Sequence, residues 1–340
     1  MFVDIFLYLA CFCLLIFSVA LLVYFVCPSV LFTLYLRYVT FLAGLKIKYV
    51  KGEDIEYCYA EKNSPIKNKT SILFVHGFSA SKDMWAQLVR QLPGDLHLVS
   101  VDLPGHGETT VPESGELSYD FLVEYLNKFV KLIGLDASPF HLIGASMGGA
   151  TVGLYSAKHP EHVARVTLVC PAMKTPAETE FSTEIRNMVE SGHNVEEFEC
   201  TLIPQTPQGV QKMLNACSFH KPRLPKQILK GMLDLRSPKA DFYNKMFKAI
   251  TSLEAASLLE DSLSKITCPS QIIWGEQDEL IHHSGADVLT KGLPNCQHVT
   301  VLDRCGHIIH VDRPGALAKA ILEFRGELHL AKHPKHAKKD

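Results

Sequence analysis

Apolar residues fall along this chain in three rhythms. From residue 5 to residue 36 they are almost unbroken, and no charged residue intervenes. About 20 apolar residues cross a bilayer, so residues 5–27 predict a transmembrane signal-anchor helix that Pro28 closes, behind a short N-terminal tail of residues 1–4. The run is too long for the core of a cleaved signal, no Lys or Arg precedes it, and it continues past the cleavage-like Ser18-Val19-Ala20. Residues 28–44 predict a juxtamembrane segment with Tyr35 and Tyr38 beside Arg37. It reads equally as an interfacial segment holding the body against the bilayer and as an extension of the anchor.

The second rhythm fills residues 45–328, where short buried runs alternate with helical spacings. Residues 45–50 and 55–60 alternate like a hairpin around 51–54. Runs at 71–75, 96–101, 140–143 and 163–170 predict buried strands, the first covered on both faces, and runs at 270–274 and 297–302 predict two further strands. Between them, residues 81–92, 117–134, 150–158, 285–292 and 316–328 predict helices. The fold class is therefore α/β, a mostly parallel sheet with helices on both faces and right-handed crossovers.

The third rhythm interrupts the second. Residues 172–264 show helical patterns only, at 182–191, 207–217, 225–235 and 242–259. Such an insertion between two strands predicts a helical cap. Leu202, Met213, Leu214, Ile228, Leu229, Met232, Leu233, Phe242, Met246 and Phe247 are candidates to line an acyl pocket, although each serves as readily to hold the cap together. The chain ends in residues 329–340, a basic tail with four lysines.

Composition narrows the classes. With 340 residues, 47% hydrophobic, the chain can bury a sizeable core. A formal charge of −2 argues against a nucleic-acid partner. The ten cysteines are scattered without a C-x-x-C pair, which fits free thiols in a reducing compartment; Cys11, Cys13 and Cys27 read first as buried, unmodified cysteines and second as acylation points. Charge also orients the anchor. Residues 1–4 carry no Lys or Arg, whereas Arg37, Lys46, Lys48 and Lys51 follow the span, so the body is expected in the cytosol as a type II single-pass protein. The sequon Asn68-Lys69-Thr70 would be used only in the opposite orientation.

The chemistry centres on Gly144-Ala145-Ser146-Met147-Gly148, set between a buried strand and a helical run. A sharp strand-to-helix turn exposes the serine and brings the residues two before and two after it together, where glycine leaves room. The pentapeptide alone is weak, since a bland glycine-rich turn has the same spelling. Support comes from Asp278 and His307, which follow two successive later strands. Ser146 as nucleophile, Asp278 orienting the base and His307 as general base and acid stand in the Ser, Asp, His order of hydrolases of this architecture. Backbone N–H groups of Met147 and of Phe78, in the loop after the 71–75 strand, are candidates for an oxyanion hole.

Other polar residues compete for these roles. Asp303 reads as a turn or cap residue, Asp102 as a structural loop acid, His76 and His106 as holders of glycine-rich loops, and His310 as a helix-region residue. The stretch from His307 to Asp312 also spells H-x-x-x-x-D, an acyltransferase pattern, although Asp312 with Pro314 reads as a helix start. Without an H-E-x-x-H, Walker or dinucleotide motif, no metal and no cofactor is expected.

The stretch from His76 to Trp85, the elbow, Ile272–Asp278, Ser284-Gly285-Ala286-Asp287 and Cys305-Gly306-His307 together resemble the membrane-anchored monoacylglycerol lipases, the sixth-member branch of the alpha/beta-hydrolase-domain-containing family. The resemblance runs from the anchor to the last helix and implies the alpha/beta-hydrolase fold. It also implies hydrolysis of monoacylglycerols, including 2-arachidonoylglycerol, and of lysophospholipids. By resemblance the protein would work on internal membranes (late endosome and lysosome, with endoplasmic reticulum or mitochondrion as further sites), facing the cytosol and drawing its lipid substrate from the bilayer. The family's site residues carry over onto Ser146, Asp278 and His307. Alternatives of the same fold are a general carboxylesterase or thioesterase and an acyltransferase; the non-enzymatic alternative is a membrane scaffold that binds a receptor partner.

Overall fold

The computed structural model describes residues 2–112, 115–191 and 200–328. Part of the cap and the whole of the basic tail expected at 329–340 lie outside the described residues. Helix α1 (Phe2–Val26) is apolar all round. Its candidate membrane span, Asp4–Val26, has 23 residues, none buried within the protein. At 1.5 Å per residue that is roughly 35 Å, enough for the hydrocarbon core of a bilayer. At Cys27 the backbone leaves the helical region (φ −131°, ψ 60°), and Pro28 opens a separate helix, α2 (Pro28–Leu42). The segment after Cys27 is thus a helix of its own and not a continuation of the expected anchor.

Helix α2 is docked on the body. Thr40 is buried and donates its hydroxyl to Asp83 Oδ1 at 2.7 Å, and Arg37 donates to Glu108 Oε2 at 2.6 Å. Leu34, Tyr38 and Phe41, by contrast, are 58%, 59% and 74% exposed. A helix with apolar side chains on its outer side suits a membrane interface.

The body is built on one eight-stranded sheet in the order β1-β2-β4-β3-β5-β6-β7-β8. Its strands are β1 (Lys46–Lys51), β2 (Glu56–Lys62), β3 (Ile72–Val75), β4 (Leu98–Val101), β5 (Phe140–Ala145), β6 (Val163–Val169), β7 (Ser270–Gly275) and β8 (Cys296–Leu302). The β1–β2 hairpin pairs antiparallel and so does β2 with β4; every later pairing is parallel. Strands β3, β4, β5 and β7 are buried along their whole length, as their continuous apolar runs require. Register places Val75 beside Val101 and Gly144, Ala145 beside Val169, and Gly275 beside Leu302, so the carboxyl ends of these strands share one edge of the sheet.

The helices covering the sheet are α3 (Ala86–Val89), α4 (Tyr119–Leu132), α5 (Met147–Lys158), and, beyond the cap, α11 (Gly285–Gly292), α12 (Ile309–Asp312) and α13 (Pro314–Arg325). The cap contributes α6 (Glu180–Glu190), α7 (Pro207–Cys217), α8 (Lys226–Arg236), α9 (Ala240–Ile250) and α10 (Leu253–Ser262). Several starts have a local cause. Ser118 accepts from Phe121 N ahead of α4, and Thr206 from Gly209 N ahead of α7.

Two expected helices are broken, each by a polar side chain. The helix expected at 242–259 splits into α9 and α10 because Thr251 bonds back to Phe247 O and Ser252 accepts from Ala255 N, which starts a new helix. The helix expected at 81–92 becomes a 3₁₀ turn, Lys82–Trp85, followed by the single turn of α3. Here Lys82 is drawn inward: its backbone N–H reaches Asp102 Oδ1 at 2.6 Å, its Nζ reaches Asp102 Oδ2 at 2.9 Å, and Ser100 donates to its carbonyl. A paired buried lysine fixes the loop that follows β3.

Candidate active site

Ser146 is the hinge between β5 and α5. Its backbone sits at φ 56°, ψ −124°, a region that costs an L-residue about 1–3 kcal/mol. The surroundings hold it there: Ser146 N donates to Val169 O at 3.0 Å, and its carbonyl accepts from Ala150 N and Ala172 N. The flanking glycines are required by close approach. A Cβ on Gly144 would lie 2.2 Å from Gly148 O, and one on Gly148 would lie 2.3 Å from His76 O. The loop after β3 passes over this turn so tightly that a Cβ on Gly77 would stand 3.1 Å from Ser146 Cβ.

Asp278 follows β7 and His307 follows β8, and the two meet. His307 Nδ1 lies 2.7 Å from Asp278 Oδ2, with both side chains buried. The other carboxylate oxygen, Oδ1, accepts from Leu280 N and Ile281 N at 2.9 and 3.0 Å, which fixes the acid and aims it at the imidazole. Burial works against a charged imidazole, but the Asp278 carboxylate, with Cys170 beside it, raises the His307 pKa well above the usual histidine value. The neighbouring histidines go the other way. Burial lowers His76 and His106, and burial together with His307 brings His310 down to about 4. Near neutral pH these three are uncharged.

A cavity of about 330 Å³ opens above Ser146 and His307. Phe78 and Met147 border it beside Ser146, and its wall is largely apolar, with Phe181, Ile185 and Val189 of α6, then Leu202, Phe247 and Ile250. Lys174, Glu178, Arg186 and Glu190 also border it. The sequence-expected lining is therefore only partly correct. Leu202 and Phe247 line the cavity, but Met213, Leu214, Leu229, Met232 and Leu233 pack with Val210 in a separate cluster between α7 and α8. Met246 is buried in the main core, and Phe242 packs against it. The face of α6 supplies what they do not; its spacing of four residues is visible in the sequence, but the spacing does not say what the face meets.

The competing residues have other occupations. Asp102 holds Lys82 and accepts from Glu108 N. His76 Nε2 accepts from Leu103 N, and His106 Nδ1 meets Pro104 O. Asp303 accepts from Arg304 N within its own turn. Pro314 does open α13, but Asp312 is not its cap. It ends α12 and turns inward, where Oδ1 accepts from Ser218 Oγ at 2.6 Å and Oδ2 accepts from Phe219 N and Gly306 N at 2.9 Å each. It thereby pins the cap to the loop that carries His307. Among the described residues, two groups have ligand atoms close enough together for a metal ion: His159 with Glu161 and His162, and Cys170 with Asp278 and His307. In the second, the Asp278–His307 hydrogen bond already occupies the facing atoms.

A serine at a strained strand–helix turn, a buried Asp–His pair at the ends of two later strands and a helical cap define an architecture that comparison can test. The family model described as alpha/beta hydrolase fold matches residues 70–314. The chain belongs to the alpha/beta-hydrolase family. Within it, the chain is 41% identical over 303 residues to the human protein named monoacylglycerol lipase ABHD6, covering 89% of this chain and 88% of that one. It is 40% identical to the Xenopus laevis protein named monoacylglycerol lipase abhd6-B, covering 91% of each. Among solved structures, a bacterial membrane phospholipase A superposes with a TM-score of 0.79 at 27% identity, covering 95% of this chain and 99% of that one. A putative lipase from Acinetobacter baumannii AYE superposes at 0.75 with 25% identity, covering 88% and 96%. With these relatives, this alpha/beta hydrolase is a hydrolase of the lipase group.

Proposed function

We propose that this alpha/beta hydrolase is a membrane-anchored serine lipase that cleaves monoacylglycerols, 2-arachidonoylglycerol among them, and lysophospholipids, releasing free fatty acid. The observation that carries the reading is the junction of the Ser146 turn, the buried His307–Asp278 pair and an apolar cavity under the cap. The relatives' names supply the substrate class. Ser146 Oγ attacks the ester carbonyl while His307 accepts its proton. Asp278 holds the imidazole in one tautomer and stabilises its charge. The oxyanion is received by the N–H groups of Phe78 and Met147, each worth about 3 kcal/mol in such a hole. His307 then returns the proton to the departing glycerol oxygen, and an acyl group remains on Ser146. Water, deprotonated by His307, attacks the acyl carbonyl; the fatty acid leaves and Ser146 regains its proton.

The membrane part of the reading is supported by the length of α1 and by the outward apolar side chains of α2. Arg37, Lys46, Lys48 and Lys51 after the span favour a cytosolic body, and the resemblance favours late endosomal and lysosomal membranes. The full-length protein in detergent micelles tests the chemistry. A fluorophosphonate probe is expected to label the wild type and not Ser146→Ala, and fatty acid release from a monoacylglycerol is expected to exceed release from a short soluble ester by tenfold or more. Labelling that survives the substitution would remove Ser146 from its role, and equal rates would replace the lipase by a general esterase.

A further inference from the structure

The proposed oxyanion hole depends on a loop, and loops need something to hold them. Gly77 is fixed from below by its contact with Ser146. Ser79, two residues on, stands in the left-handed region at φ 54°. Above it lies the C-terminal residue of α8, Arg236. Its Nη1 donates to Ser79 O at 2.9 Å, and its Nη2 donates to Ser79 Oγ at 2.5 Å and to Leu202 O at 2.8 Å. The guanidinium also faces the Tyr243 ring, 5.9 Å from its centroid. Among the described residues no carboxylate forms an ion pair with it. Arg236 is half-buried, and a cation partly withdrawn from water is ordinarily paired with an acid. This one is directed at two carbonyls and a hydroxyl on either side of the cavity: Ser79 belongs to the loop that carries Phe78, and Leu202 lines the wall.

We infer that Arg236 is a positioning residue for the oxyanion hole: its planar fork ties the loop of Phe78 to the cap wall and holds the Phe78 N–H at the angle the tetrahedral intermediate needs. The inference rests on the proposed role of Ser146 and Phe78. The side chain of Phe78 is already gripped by the cap, with ring centroids 5.6 Å from Tyr243 and 5.3 Å from Phe247. Packing alone leaves the peptide plane free to rock; two hydrogen bonds to the next residue remove that freedom. Lysine carries the same charge but cannot reproduce the fork.

The effect should appear on the tetrahedral state and not on the bound substrate. Displacement of a catalytic donor by about 1 Å costs on the order of 100-fold in rate. Arg236→Gln is therefore expected to lower kcat about 100-fold with KM changed less than threefold, and Arg236→Lys to fall between it and the wild type. A long-chain alkyl boronic acid, which becomes tetrahedral on Ser146, should bind Arg236→Gln at least tenfold more weakly. A monoalkylglycerol ether, which cannot react, should bind within threefold of wild type. Should Arg236→Gln fail to fold, Ser79→Gly decides by the same two affinities: glycine suits the positive φ and removes one acceptor of the fork, and a loss of threefold or more confined to the boronic acid is expected. Equal weakening of both ligands, or of neither, would overturn the inference. If the wild type takes no fluorophosphonate at Ser146, the proposed function has failed first; if it does and the boronic acid is indifferent to Arg236, only this inference has.

Discussion

Asp312 offers the sharpest quantitative test, because one carboxylate joins three donors from two segments. In Asp312→Ala, the N–H groups of Phe219 and Gly306 lose an acceptor inside the protein, and so does the Ser218 hydroxyl. A buried donor left without a partner costs about 1–3 kcal/mol. The hydroxyl can turn elsewhere, so the two N–H groups set the scale, about 3–5 kcal/mol in all. Asp312→Asn behaves differently. Both N–H groups point at the same oxygen, Oδ2. If the amide oxygen takes that place, its NH₂ faces Ser218 Oγ, which can reverse and accept. Only the charge assistance is lost, about 1 kcal/mol. Thermal unfolding in micelles should thus show Asp312→Ala melting roughly 6–10 °C below wild type and Asp312→Asn within about 2–3 °C. Activity should follow the same order, because Gly306 immediately precedes His307. The reasoning is refuted if the two variants melt alike. Loss of activity in Asp312→Asn at unchanged melting temperature would instead revive a chemical role for H-x-x-x-x-D.

Two further outcomes follow from the same site. In the proposed mechanism His307 must be neutral to accept the Ser146 proton, and Asp278 holds its pKa well above the usual histidine value, so activity is expected to fall as pH drops through that raised value. Asp278→Asn removes the charge while burial persists, so the acid limb of kcat/KM should move to lower pH as overall activity falls; a limb that stays put would detach Asp278 from His307. Ile185→Phe narrows a cavity of about 330 Å³ from the α6 side, and over a chain-length series of monoacylglycerols the preference should shift to shorter acyl groups; an unchanged profile would place the acyl chain elsewhere.

The parts of the site legible in the sequence share a property: their roles are set by position along the sheet. Ser146, Asp278 and His307 each sit just past a strand of the sheet, and parallel strands with aligned carboxyl ends bring such positions together whatever the loops do. Asp102, His76 and His106 were readable as loop holders for the same reason. Asp312, Lys82 and Arg236 were not readable in their actual roles. Each works through hydrogen bonds to segments distant in the chain, between Asp312 and Ser218 or between Arg236 and Ser79, and no local pattern announces such a partner. Periodicity marked the cap helices but could not assign their faces, because the side of α8 packed against α7 is as apolar as the side of α6 that meets the cavity. The division of the 242–259 run at Thr251 and Ser252 lay in plain sight as a capping serine, outweighed by the apolar spacing on both sides.

The docking of α2 changes what an anchor does. A flexible tether keeps a protein near a surface but leaves every orientation open. Here α2 is fastened to the body at separate places: Arg37 to Glu108, Thr40 to Asp83, and the backbone at Pro28 against Gly231 of α8, where an added Cβ would lie 2.7 Å from the Pro28 carbonyl. On the membrane reading, once Leu34, Tyr38 and Phe41 lie in the lipid surface, tumbling reduces to spinning about the membrane normal, and the cavity mouth keeps a fixed attitude to the lipids. The search for substrate then becomes two-dimensional. Its rate is set by how many substrate molecules occupy a given area of membrane, so diluting the lipid with inert phospholipid slows it and diluting the vesicles with water does not.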